Sequence, residues 1–105
     1  MSSLSTHVLD TALGRPAQNV DVRLYRGDVL EATGTTDADG RIAELRPALE
    51  QGTYRLWFDV AAYAKATGQD IFFPEVSVTF TVADERHYHV PLLLSPFAFS
   101  TYRGS

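Results

Sequence analysis

The sequence predicts an all-β fold: an antiparallel β-sandwich of seven to eight short strands with one short helix. Three observations carry that prediction. Runs of alternating apolar and polar residues recur from Leu4 to Tyr102. Turn residues divide them at about the 8–12-residue spacing of small sandwiches and barrels. One stretch alone, VAAYAKAT, has both a helical start signal and a helical stop signal.

The elements follow in order. In LSTHVLD, residues 4–10, Leu4, Thr6 and Val8 alternate with Ser5, His7 and Leu9, the period of a half-buried strand. Residues 11–19 hold Gly14, Pro16 and Asn19 and read as a loop. Val20, Val22 and Leu24 then alternate with Asp21, Arg23 and Tyr25, and Arg26-Gly27-Asp28 turns the chain into a returning strand, VLEATGTT. The turn Asp37-Ala38-Asp39-Gly40 precedes a short strand, RIAEL, which Arg46-Pro47 is expected to end. TYRLWF puts Tyr54, Leu56 and Phe58 on one face. Asp59 can cap the helix, and Gly68 stands just past its end. Residues 71–82 set Val76, Val78, Phe80 and Val82 against Ser77, Thr79 and Thr81. Ala83-Asp84-Glu85 turns into HYHVPLLL, and Ser95-Pro96 turns into a last strand, FAFSTY. No repeat, linker or low-complexity run interrupts the pattern, so residues 1–105 are expected to form one domain.

Composition excludes several classes of function. With 45% hydrophobic and 21% charged residues, the chain reads as a soluble globular protein. A net charge of −4 without a basic cluster leaves no nucleic-acid footprint. The lack of cysteine removes disulfides, thiolate metal sites and thiol nucleophiles together. No apolar run is long enough to span a bilayer. MSSLSTHVLD lacks the basic-then-apolar order of a secretory signal, and the ending RGS is not a peroxisomal address. The expectation is therefore a cytoplasmic protein with no nucleic-acid or membrane partner. There is no G-x-S-x-G, H-E-x-x-H, P-loop or G-x-G-x-x-G motif. The Asp39/Glu44 and Glu75/Asp84 carboxylates read as surface charges.

One feature is unusual. If each strand turns its β-branched or aromatic side inward, the opposite sides of three strands carry no Lys, Asp or Glu. These sides are His7 and Leu9; His87, His89, Pro91 and Leu93; and Ala98, Ser100 and Tyr102, with Phe97 and Phe99 expected inward. Strands two and three differ, because Asp21, Arg23 and Glu31 give them a wet face. An uncharged sheet face holding leucines is normally covered, so these three strands are expected to lie together beneath another subunit. His87 and His89 share a face at roughly 6.6 Å, and with a third histidine they could ligate zinc. No carboxylate or fixed third-ligand spacing accompanies them, so neither a metal nor a cofactor is expected. Taken singly, His7 reads as a surface or interface residue, Arg41 as an exposed turn arginine and His87 as a solvated side chain.

Longer motifs add a family. STHVLDTALGRPA at 5–17 and HYHVPLLLSPFAFSTYRGS at 87–105 resemble the two terminal signatures of the 5-hydroxyisourate hydrolases, the transthyretin-related proteins of purine breakdown. DADGRI at 37–42 and FFPEVSVTF at 72–80 match as well, so the resemblance covers essentially the whole chain. It implies a transthyretin-like sandwich in a homotetramer, a dimer of dimers whose active sites lie in a central channel walled by the uncharged face. It implies hydrolysis of 5-hydroxyisourate to 2-oxo-4-hydroxy-4-carboxy-5-ureidoimidazoline in urate degradation. Carried over by motif, the catalytic residues fall on His7, Arg41 and His89, and the substrate-binding residues on Tyr102, Arg103, Gly104 and Ser105. His87 lies outside that set. Ala98 and Phe99 stand where family members often have Gly and Tyr. His89 leads as general base, with His7 orienting water or donating to the leaving nitrogen, roles that could be exchanged. Arg41 would hold the substrate's polar edge and the developing charge. The competing reading is a transthyretin-like carrier of small hydrophobic ligands. Without the resemblance, an immunoglobulin-like interaction module would come first.

Overall fold

Val22, Leu24, Leu56 and Phe58 are all buried, as are Leu4, Val8, Val90 and Leu92, each on one alternating side of its strand, and these two sets meet as the inner faces of two sheets. Burying each such side chain contributes about 1.5–3 kcal/mol relative to exposure, so the alternation fixes which face turns inward. A computed structural model of the chain describes residues 2–104. Its elements are β1 (Ser2–Asp10), β2 (Arg15–Pro16), β3 (Asp21–Arg26), β4 (Val29–Thr35), β5 (Arg41–Leu49), β6 (Gly52–Asp59), α1 (Val60–Thr67), β7 (Glu75–Val82), β8 (Tyr88–Leu94) and β9 (Phe99–Thr101). One sheet runs β4-β3-β6-β7 and is antiparallel throughout. The other runs β2-β1-β8-β9, and β5 pairs with β1 on the side that β2 also uses. The sandwich is thus as expected, and so is the grouping of the first, histidine-bearing and last strands in one sheet.

Four details differ from the sequence expectation. β1 and β8 pair in parallel, Leu4 beside Tyr88 through Asp10 beside Leu94. The chain crosses from the other sheet near the start of β1, where the Ser2 hydroxyl donates to the Asp84 carbonyl at 2.6 Å, so both strands set out in the same direction. β5 continues through Pro47 to Leu49, because two register shifts against β1 make the bulged edge in which proline is tolerated. The stretch read as loop contains the two-residue β2. Phe97 is not inward but 77% exposed, and Phe99, although paired with buried Leu94 on the inner side, is still 40% exposed. The turn closed by Ser95 N–H on the Ala98 carbonyl puts Phe97 at its tip, while Phe99 lies at the sheet edge with its ring against Phe73, centroids 5.0 Å apart.

The helix is where its caps place it. The Asp59 carboxylate accepts from Ala62 N–H, and Gly68 closes the other end in the left-handed conformation at φ 66°. Asp10, at the end of β1, ties that helix to the first sheet. It accepts from the Tyr63 hydroxyl at 2.6 Å, the Gln69 amide at 2.8 Å and Leu13 N–H at 2.9 Å. Burial works to raise its pKa, but these donors outweigh it and hold the carboxyl below its ordinary range. Among the described residues no helix is long and apolar enough to cross a membrane.

Candidate active site

The strand registers assemble the site. On β1, Ser5 lies beside His89 of β8, and His7 lies between Pro91 of β8 and Arg41 of β5. Ser3, Ser5, His7 and Leu9 therefore share one outer face with His87, His89, Pro91 and Leu93, because successive strand residues alternate sides. The structure brings together His7, Arg41 and His89, residues taken from three separate motifs.

The turn before Arg41 is built to dock on β1. The Asp37 carboxylate accepts from the Asp39 and Arg41 amides at 2.9 and 3.0 Å. Gly40, at φ 73°, donates to the Asp37 carbonyl, and its own carbonyl accepts from Val8 N–H at 2.7 Å. A Cβ there would run into the Val8 carbonyl, so glycine is required for both conformation and space. This close approach lets the Asp39 carbonyl meet His7 Nε2 at 2.9 Å. A carbonyl only accepts, so Nε2 carries the hydrogen and neutral His7 keeps its lone pair on Nδ1.

His89 is half-buried, with Nδ1 at 2.7 Å from the Ser5 hydroxyl. Burial is the main influence pushing its pKa below the usual histidine value, and electrostatic repulsion of the imidazolium by Arg41, and by His7 and His87 when protonated, pushes the same way. His89 is therefore a neutral imidazole at pH 7. A cavity of about 290 Å³ opens beside it, lined by Ser5, Thr6, Arg41, Ala43, His87 and His89, near the lower end of small-molecule sites. A larger hollow of about 430 Å³ lies elsewhere, between Arg15, Gln18, Asn19 and Tyr63. It holds no histidine, so the chemistry follows the smaller one.

The tail divides. Gly104 N–H donates to the His89 carbonyl at 2.8 Å, and a Cβ on Gly104 would overlap the His89 imidazole. The glycine of YRGS thus lets the chain end pack flat on the candidate base. Arg103 stacks over the Tyr88 ring at 4.3 Å. With Tyr102 it borders a separate apolar groove between β7 and β8, lined also by Val78, Phe80 and Val90. Ser105 lies outside the described residues. Among the described residues no group of three His, Cys, Asp or Glu side chains converges to hold a metal.

Sequence reasoning singled out neither Ser5 nor its contact with His87, whose reading as a solvated side chain agrees with its exposure. The Ser5 hydroxyl stands at 2.7 Å from His87 Nε2 as well as from His89 Nδ1, and Ser3 Oγ is at 2.5 Å from His87 Nδ1. The signal was present in the alternation: Ser3 and Ser5 share parity with His7, as His87 does with His89.

Comparison with known proteins gives the family. The chain is 48% identical over 116 residues to the 5-hydroxyisourate hydrolase of Mus musculus, covering 99% of this chain and 96% of that one. It superposes on the Klebsiella pneumoniae 5-hydroxyisourate hydrolase structure with a TM-score of 0.94 at 40% identity over 100% of both chains. It superposes on sea bream transthyretin in complex with thyroxine with a TM-score of 0.90 at 35% identity, covering 97% of this chain and 94% of that one. Residues 4–104 match the HIUase/Transthyretin family, and the chain belongs to that family.

Proposed function

We propose that this protein hydrolyses 5-hydroxyisourate, opening its six-membered ring as a step of urate degradation. The observation that carries this reading is the meeting, beside a sheet face that carries no Lys, Asp or Glu on β1 and β8, of a histidine held toward its neutral form, a second histidine of fixed tautomer and an arginine. Ring opening needs a base for the attacking water, a cation for the oxyanion and a proton for the departing nitrogen. His89 supplies the base through Nε2, since its Nδ1 is engaged by Ser5. His7, with Nε2–H spent on the Asp39 carbonyl, offers Nδ1 to accept a hydrogen bond from water; this supports its orienting role over donation to the leaving nitrogen. Arg41 meets the developing charge with its planar fork. Gly104 holds the tail against His89; the substrate-binding role of Tyr102, Arg103 and Ser105 rests on the YRGS motif alone, since Tyr102 and Arg103 border the separate apolar groove.

The proposal includes a homotetramer, a dimer of dimers in which this face is covered by a second dimer. Its support is the lack of Lys, Asp and Glu among the outward residues of β1 and β8, together with half-exposed Leu9 and Leu93. A carrier of small hydrophobic ligands on the same fold needs no base in the groove. Loss of 5-hydroxyisourate absorbance in the ultraviolet, read with a size-exclusion trace, separates the two. Enzymatic decay well above the spontaneous rate in a tetramer is the expected result. Ligand binding without turnover would overturn it.

A further inference from the structure

Ser5 Oγ contacts two imidazole nitrogens at 2.7 Å each, Nε2 of His87 and Nδ1 of His89, and Ser3 Oγ contacts His87 Nδ1 at 2.5 Å. A hydroxyl has one hydrogen to give. It can donate to one ring and must accept from the other, so the two tautomers are linked. If His89 is to act as a base through Nε2, its Nδ1 bears the hydrogen and donates to Ser5. Ser5 then donates to His87 Nε2, and His87 Nδ1–H donates to Ser3. All three contacts are satisfied in that single direction.

We propose that Ser5 and His87 are a proton relay behind His89, carrying its positive charge away from Arg41 during turnover. The inference rests on the hydrolase reading and deepens it. As water attacks, His89 Nε2 takes one of its protons. The Nδ1 proton passes to Ser5 Oγ while the Ser5 proton passes to His87 Nε2. His89 is left neutral and His87 becomes the imidazolium. When His89 Nε2–H protonates the departing ring nitrogen, the proton on His87 returns through Ser5 to Nδ1. The net change is one water added across the C–N bond, with the enzyme restored. The placement explains why a relay is useful: His89 is half-buried near the cationic Arg41, which lies in register with His7 and Pro91, whereas His87 stands two residues beyond His89 on the side away from that register and is exposed in the single chain. Ser5 and His87 act through His89 and are positioning residues rather than groups on the substrate.

His87→Ala gives the clearest test, since the position is exposed and Ser5 is nearly buried. In weak, non-nucleophilic buffer, His87→Ala is expected to lower kcat roughly 10-fold, below the 10² minimum typical for loss of the base itself, with KM little changed. Added imidazole should restore much of that loss in His87→Ala and none of the loss in Ser5→Ala. Substrate-free ¹⁵N NMR of the wild-type protein should show His89 protonated on Nδ1. A His87→Ala enzyme at wild-type rate in weak buffer, or His89 protonated on Nε2 alone, would overturn the relay. Failure of the wild type to consume 5-hydroxyisourate would overturn the hydrolase reading instead, and the NMR result stands apart from that outcome.

Discussion

The outer faces of the two sheets have the same alternation and opposite chemistry. On the β3–β6 sheet, charged groups find partners at once: Arg23 lies over the Trp57 ring at 4.7 Å, Arg55 over Tyr25 at 4.5 Å, and Asp21 accepts from the Thr35 hydroxyl at 2.8 Å. Trp57 Nε1 donates to Glu75 at 2.9 Å. That face is closed on itself and solvated. On the β1–β8 face the polar groups are hydroxyls and imidazoles, Arg41 enters from the neighbouring strand, and no carboxylate stands among the residues lining the cavity. Charge that already has a partner builds a surface. A cation and a neutral base left facing a cavity are available to a substrate whose charge develops during reaction.

Breaking the comparison on the β1–β8 side should have the larger effects. Arg41→Lys is expected to lower kcat by roughly 10² or more, because a point charge cannot reproduce the fork; steady-state kinetics on 5-hydroxyisourate measure it. His7→Ala should lower kcat by about 10²–10⁴ if the water is held by Nδ1, and a folded variant at wild-type rate would remove His7 from the mechanism. Gly104→Ala should shift the His89 ring and lower kcat roughly 10-fold while the circular dichroism spectrum is unchanged, since a near-angstrom misplacement can cost up to about 10². On the other face, Arg23→Ala removes one exposed cation–π contact worth about 0.5–1 kcal/mol. Denaturant titration should show that small loss and kinetics should show none. A catalytic effect of Arg23→Ala as large as that of His7→Ala would erase the distinction between the two faces.

The parts legible in the sequence were those set by local rules. Asp59 and Gly68 mark the helix ends because capping depends on neighbours a few residues away. The uncharged face was readable because a strand's period is two, which puts His87 and His89 on one side whatever the partner strand is. Long-range features were not readable. The parallel pairing of β1 with β8 depends on where the crossover from the other sheet lands. β5 runs on through Pro47 because its register slips against β1, a property of the pair rather than of either strand. Phe97 and Phe99 have the composition of core residues, but a turn tip and a short edge strand leave them exposed. The bridging role of Ser5 needs a partner 82–84 residues away, so no local spacing could announce it. The catalytic roles of His7, Arg41 and His89 came from family motifs; what the structure adds is that Gly40 and Gly104 bring two of those motifs to His7 and His89.

The most direct measurement is the pH dependence of kcat/KM for 5-hydroxyisourate, wild type beside His89→Ala. Burial and then Arg41 disfavour the protonated form of His89, so the base stays available as pH falls through the ordinary histidine range of about 6.5. Activity is expected to fall on an acid limb whose midpoint lies below that value, and that limb should disappear with the imidazole in His89→Ala, leaving a low residual rate. An acid limb centred at or above the ordinary histidine value, or one that persists unchanged in His89→Ala, would contradict the account.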